Sequence, residues 1–212
     1  MDKKTILLFG YGYTSSFLSS HLIEEGWSVF ATTRKEENFS KIKKAGVQPI
    51  LFSDKKELEK TINKGVYILS SIPPAEEGDP VLNSYSKLIS KKKDCINWLG
   101  YFSTTSIYGD KKGGWVTEKT TPNPSLPRSV KRLKVENCWR KLCDNTGISL
   151  NIFRLAGIYG PGRSLVDRLH AGEKIVVVDR RNQLFNRVHV FDIVAITYLA
   201  MLKNFKMEIF NV

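Results

Sequence analysis

The chain has 212 residues, 42% of them hydrophobic, and carries 33 Lys and Arg against 21 Asp and Glu, a formal net charge of +12. That balance excludes a disordered or fibrous chain and supplies enough apolar material for a full core. The longest apolar run near the start, Ile6 to Phe9, is far short of the roughly 18–20 residues that span a bilayer and too short for a signal-peptide core, so a cytoplasmic protein is expected.

Thr5 to Phe9 reads as a strand ending in Gly10, and Phe17, Leu18, His21 and Leu22 follow at helical spacing before Gly26. The pattern repeats. Trp27 to Thr32 reads as strand, Lys35 to Ala45 as helix, Val47 to Phe52 as strand, and Asp54 as the cap of a helix to about Asn63. Gly65 precedes a fourth strand, Val66 to Ser70; after a Pro-rich and acidic loop, a helix is expected from Val81 to about Asn97 and a strand from Trp98 to Phe102. A polar passage to Pro127 leads into a helix from about Ser129 to Thr146 and a strand from Ile148 to Phe153. The remainder is shorter and mixed: a small helix near Leu165 to His170, strands near Ile175 to Val178 and Leu184 to Val190, a helix from about Phe191 to Leu202, and a last strand from Glu208 to Val212. Short strands alternating with longer helices imply right-handed crossovers and an α/β fold with a parallel sheet covered on both faces.

Lysines occur as short runs (Lys43-Lys44, Lys55-Lys56, Lys91 to Lys93) rather than as one stripe interleaved with aromatics. The charge therefore reads as a solvated basic surface and not as a nucleic-acid face. Cys95, Cys138 and Cys143 are odd in number and lack C-x-x-C spacing, which suggests buried free thiols. No two of the three histidines stand at metal-binding spacing, and no metal site is expected. His21 falls on an apolar helix face, His170 ends a short helix, and His189 lies on a strand, so all three read as structural.

Gly10-Tyr11-Gly12-Tyr13-Thr14-Ser15 fits G-x-G-x-x-S, one small residue away from G-x-G-x-x-G, and sits between the first strand and the first helix. Gly10 permits the tight turn, Gly12 lets a backbone approach a pyrophosphate, and the helix N-terminus offers free N–H groups. Ser15 is small enough for close helix–strand packing. Where an NAD site places a carboxylate, at the end of the second strand, the sequence reads Ala31-Thr32-Thr33-Arg34-Lys35. Arg34 could hold a 2′-phosphate bidentately with Thr33 assisting, which favours NADP with NAD as the alternative. The other reading of Arg34 is a solvated side chain at the next helix's start.

In order along the chain, Phe9 to Thr14 (FGYGYT), Leu69 to Pro80 (LSSIPPAEEGDP), Tyr101 to Asp110 (YFSTTSIYGD), Gly113 to Val116 (GGWV), Arg154 to Arg163 (RLAGIYGPGR) and Asn186 to Val190 (NRVHV) form a set. With these the chain resembles the extended short-chain dehydrogenase/reductase superfamily, in an atypical branch of its NAD-dependent epimerase/dehydratase group. The resemblance implies a Rossmann-like doubly wound sheet over residues 1–212, with a small substrate-side excursion at about 154–190 and a reduced substrate-binding cap. It implies cofactor contacts from Ser70, Ser71, Ile72 and Pro73, and a substrate-polarising hydroxyl at Thr104. The family's Tyr-x-x-x-Lys acid/base pair is missing at its place; registering Leu133 to Glu136 on the family's helix puts Arg128 at the Tyr position and Arg132 at the Lys position. The only Tyr with Lys four residues on is Tyr108 with Lys112, across a Gly-Asp loop. An arginine cannot exchange a proton near neutrality. Arg132 could still bind ribose or phosphate, or lie on a solvated basic face with Lys131 and Lys134. The expectation is an oxidoreductase or nucleotide-sugar epimerase-like protein of unknown small-molecule substrate, with a non-catalytic NADPH sensor or partner module as the alternative.

Overall fold

The computed structural model describes residues 3–174, 184–203 and 205–212. In chain order it comprises β1 (Thr5–Phe9), α1 (Tyr13–Glu24), β2 (Ser28–Thr33), α2 (Phe39–Lys44), β3 (Gln48–Leu51), α3 (Lys55–Thr61), β4 (Val66–Ser70), α4 (Pro80–Lys91), β5 (Ile96–Thr104), α5 (Pro127–Thr146), β6 (Leu150–Leu155), β7 (Gly157–Tyr159), α6 (Leu165–His170), β8 (Arg187–His189), α7 (Val190–Lys203) and β9 (Glu208–Asn211). Seven strands form one sheet in the order β3-β2-β1-β4-β5-β6-β9, all parallel. This is the expected Rossmann-like α/β sheet.

Strand alternation sends successive side chains of one apolar run into two different cores. Ile6 and Leu8 join Leu18 and Leu22 of α1 and Ile193 and Val194 of α7 on one face. Leu7 and Phe9 join Leu58 of α3, Tyr85 and Ile89 of α4, and Val135 and Trp139 of α5 on the other. A run buried on both faces has no polar side to show water, which is why β1 reads as continuously apolar. Side-chain caps start two of the helices on the second face, α3 and α4: Asp54 Oδ1 accepts from Glu57 N at 3.0 Å, and Asp79 Oδ1 accepts from Val81 N and Leu82 N at 2.8 and 2.9 Å.

Several boundaries depart from expectation. The helix expected to run to Asn97 ends at Lys91, and β5 begins at Ile96, because Ile96 and Trp98 are buried while Asn97 between them is exposed. That period-2 alternation belongs to a strand. The segment expected as one helix from Lys35 to Ala45 is a 3₁₀ turn, Glu36–Asn38, followed by α2. Here the Thr33 hydroxyl accepts from Lys35 N and from Asn38 Nδ2, a local turn that competes with a helical start. A short strand not foreseen, β7, pairs in parallel with β8 in a separate two-stranded sheet. The expected strand near Ile175 to Val178 lies outside the described residues.

All three cysteines are free, but only Cys143 is buried; Cys95 is half-buried and Cys138 exposed. The expectation of buried thiols is corrected by the helix register. The inward face of α5 carries Val135, Trp139 and Cys143 at four-residue spacing, and Cys138 falls off it. Burial pushes the Cys143 thiol up to about 12.

One buried ion pair ties the site-bearing elements together. Arg154 of β6, 2% exposed, donates from Nη2 to Glu136 Oε2 at 2.9 Å and from Nε to Oε1 at 3.3 Å; Glu136 of α5 is fully buried. Arg154 Nη1 also donates to the Tyr108 hydroxyl at 2.7 Å, and that hydroxyl donates to Asn211 Oδ1 of β9.

Candidate functional site

Strands β2 and β4 flank β1, so chain connectivity runs outward in opposite directions from the β1–β4 pair. In doubly wound sheets the loops at the carboxyl ends of such strands part and leave a crevice. Two adjoining clefts occupy that position here. The first, about 1240 Å³, runs from the β1–α1 turn across the end of β2 to Lys41, and along the β4 loop to Ala75. The second, about 660 Å³, lies over the ends of β5 and β6 beside α5. Gly12, Tyr13, Ser71 and Pro73 line both, so the two form one continuous groove.

The turn between β1 and α1 is shaped by its glycines in two different ways. Gly10 has φ +95°, and a Cβ there would meet Ile72 Cγ1 and Ser71 Oγ at 3.0 Å; its N–H donates to Thr32 Oγ1 at 2.9 Å. Gly10 is thus required by the fold itself. Gly12, the N-cap of α1, has ordinary extended backbone, and a Cβ on it would meet nothing within 4 Å. Its missing side chain leaves open space in front of the helix. No side chain caps α1, and its first turn holds no acidic residue, so the N-terminal N–H groups and the positive dipole end face that space. Ser15 is 1% exposed and its hydroxyl meets Ser71 Oγ at 3.0 Å, while Ser71 also donates to the Phe9 carbonyl at 3.1 Å. The third small residue of the motif therefore clamps α1 to the end of β4.

Of the residues singled out from sequence, Gly10, Tyr11, Gly12, Tyr13, Thr33, Arg34, Ser71, Ile72 and Pro73 line the first cleft, and Thr14 and Ser15 line the second. Ser70 lines neither and is fully buried. The exposed Arg34 shares its end of the cleft with Lys35, Asn38 and Lys41, and among the described residues no Asp or Glu lines this cleft. Asn38 and Lys41 were missed in the sequence because they lie in the next turn and helix, whose position depends on the Thr33 turn.

The second cleft gathers Thr104, Arg128 and Arg132 as expected, together with Ser103, Ser106 and Arg163. The Thr104 hydroxyl accepts from Ser106 N and donates to Ser106 Oγ, both at 3.2 Å, and Ser106 Oγ meets the buried Ser129 Oγ at 2.8 Å. Ser106 was not singled out beforehand, although its place two residues after Thr104 fits a Ser/Thr turn. Arg132 is not on a solvated face with Lys134. It is half-buried, and its Nη1 donates to the Tyr101 hydroxyl at 3.0 Å and to the Phe102 carbonyl at 3.1 Å. Burial raises the Tyr101 phenol well above its ordinary range, against the opposing pull of Arg132. Arg128 is exposed, one helical turn before Arg132 on the same face. Arg163 stacks over the Tyr13 ring at 5.3 Å, and Tyr13 donates its hydroxyl to the Pro161 carbonyl at 3.0 Å. No Asp, Glu, His, Lys or Cys lines this cleft among the described residues.

Among the described residues no histidine lines either cleft. His21 meets the Tyr198 ring edge-on at 4.7 Å, and His189 packs between Tyr159 and Phe191. Among the described residues no cluster of His, Cys, Asp or Glu could hold a metal, and no helix is long and apolar enough to cross a membrane.

The sheet order and the glycine turn at its switch point define a Rossmann-type α/β protein. The model of the NAD dependent epimerase/dehydratase family matches residues 6–212, and the chain belongs to that family. Protein YeeZ of Escherichia coli K12 is 27% identical over 209 residues, covering 92% of this chain and 73% of that protein. A conserved protein of unknown function from Silicibacter pomeroyi is 33% identical, with a TM-score of 0.88 over 99% of this chain and 72% of the other. UDP-glucuronic acid 4-epimerase from Bacillus cereus, solved with NAD, shares the fold at 20% identity, with a TM-score of 0.77 over 98% of this chain and 78% of its own.

Proposed function

We propose that the chain is an NADP(H)-binding, atypical short-chain dehydrogenase/reductase that acts as an oxidoreductase or nucleotide-sugar epimerase/dehydratase-like enzyme. The observation that carries this reading is the groove at the switch point, whose Gly12 leaves open room for a pyrophosphate before an uncapped helix N-terminus. Family membership and the NAD bound to the Bacillus cereus epimerase support a nicotinamide dinucleotide as its occupant. The 2′-phosphate preference rests on the basic end of the first cleft, where Arg34 and Lys41 are in the lining and, among the described residues, no carboxylate is.

Gly10 to Ser15 hold the pyrophosphate turn, Thr33 and Arg34 the adenosine ribose, and Ser71, Ile72 and Pro73 the stretch leading to the second cleft. The nicotinamide, once bound, supplies hydride chemistry at its C4. The chain's own part is to orient a substrate oxygen against the Thr104 hydroxyl and to stabilise negative charge on it with Arg128 and Arg132. Turning toward a substrate requires the Thr104 hydroxyl to release Ser106 Oγ, its acceptor at 3.2 Å.

A second reading, a non-catalytic NADPH sensor or partner module, is favoured by one observation: among the described residues no Asp, Glu, His, Lys or Cys lines the second cleft to carry a proton. Titration of wild type and Arg34→Ala with NADPH and NADH tests the cofactor assignment. The substitution is expected to weaken NADPH by about 1.5–3 kcal/mol and NADH hardly at all; equal wild-type affinities for the two would refute it. NADPH binding without oxidation by any of a panel of carbonyl and sugar-nucleotide substrates would favour the sensor.

A further inference from the structure

Three guanidinium groups border the second cleft, and each is presented differently. Arg132 is anchored: its Nη1 is taken up by Tyr101 and Phe102, and no bond engages its Nε or Nη2 among the described residues. The planar edge formed by those two atoms matches a carboxylate or phosphate in bidentate geometry. Arg128 lies one turn earlier on the same helix face, and Arg163 reaches the cleft from the loop after β7, propped on the Tyr13 ring. Among the described residues none of the three forms a salt bridge, whereas Arg140, Arg154 and Arg168 elsewhere in the chain all do.

Three like charges around about 660 Å³ repel one another, and among the described residues no acidic side chain lines the cleft itself, although the buried Asp79 carboxyl interacts with Arg132 from behind it. A second, independent feature points to the same place. Ser103 lines the cleft and is 6% exposed, yet its buried Oγ has no hydrogen-bond partner among the described residues. A buried hydroxyl left unpaired is destabilising, and a ligand oxygen that reached it would satisfy it.

We infer that the second cleft holds an anionic oxygen group, a carboxylate or phosphate, of its small-molecule ligand between Arg128, Arg132 and Arg163, with the Ser103 hydroxyl as a further contact. The inference deepens the proposed function by naming the chemistry of the substrate, and rests on it for the view that this cleft is the substrate side. Arginine contributes here a fixed charge and a fork rather than a proton. The ligand is therefore selected as an anion, and its affinity falls as salt rises.

The test is calorimetric titration of the full chain with malonate and, separately, with inorganic phosphate in low chloride, for wild type, Arg128→Gln and Arg132→Lys. Arg132→Lys keeps the charge but loses the fork; Arg128→Gln alters an exposed side chain and so keeps the inference testable if the Arg132 variant unfolds. One-to-one binding to wild type is expected, weakened about tenfold or more in each variant. Binding of malonate alone would identify a carboxylate ligand, and of phosphate alone a phosphate ligand. Failure of both anions to bind wild type, or equal binding to wild type and both variants, would overturn the inference. NADPH titrated into the same samples separates the two readings: absent NADPH binding counts against the proposed function while leaving the anion result to stand by itself.

Discussion

Replacing Glu136 by Leu tests how firmly the groove's supports are tied together. The Glu136 carboxylate is fully buried and accepts from Arg154 at 2.9 and 3.3 Å, so its loss strands a guanidinium that is 2% exposed and cannot shed its proton. Breaking such a pair costs about 3–5 kcal/mol. For a chain of this size, that corresponds to a fall in Tm of roughly 6–20 °C. Arg154→Met is expected to cost less, because Arg140 Nη2 stands 4.0 Å from Glu136 Oε2 and still faces the carboxylate left behind. The double variant, with two apolar side chains, should recover much of the loss. Thermal unfolding followed by circular dichroism, with the double-mutant cycle completed, reads all three. A Glu136→Leu cost below about 1 kcal/mol, or a double variant that equals the sum of the singles, would refute the reasoning.

Two further outcomes separate binding from folding. Gly12→Ser supplies a hydroxyl at an N-cap that lacks one, so unfolding stability should hold or rise by a few tenths of a kcal/mol, while NADPH affinity falls about tenfold or more because the side chain fills the space before α1; unchanged affinity would contradict the assignment of that space to a pyrophosphate. Burial raises the Asp79 carboxyl above its ordinary 3.8, although Leu82 N, the Trp139 indole and Val81 N all donate to it. The folded state then holds the proton more tightly than the unfolded chain, so the group's stabilising contribution is full below about pH 4 and is lost as pH rises through the raised value. Asp79→Asn keeps an acceptor for the two backbone donors and does not titrate, so its Tm relative to wild type should climb from pH 4 to pH 7; a gap independent of pH would contradict this.

The parallel sheet was legible because its strands are buried on both faces, and the runs Ile6 to Phe9 and Val66 to Ser70 carry that signature without needing tertiary information. Caps were legible for the same local reason, as at Asp54 and in the matching bounds of α6, whose Ser164–Asp167 capping box fixes its start. The failures lie where a distant partner decides. Ile96 joins β5 because Val66 stands beside it, and three residues at Gly157 form a strand only because Arg187 to His189 pair with them. In the groove, local motifs led to Gly10, Gly12 and Arg34. Lys41, Ser103, Ser106 and Arg163 came into view only once folding had brought a helix, a strand end and a loop to the same edge of the sheet. Arg132 shows the limit from the other side: one-turn spacing on α5 shows its proximity to Arg128, but its anchoring to Tyr101 and Phe102 is a contact between α5 and β5 that no local pattern encodes.

The most direct measurement is a crystal structure of the chain grown with NADPH. The expected result is a pyrophosphate against the backbone of Gly10 to Thr14, a 2′-phosphate within about 3 Å of the Arg34 guanidinium, and the nicotinamide in the cleft bordered by Thr104 and Arg132. A dinucleotide bound elsewhere, or a groove left empty at saturating NADPH, would contradict the assignment.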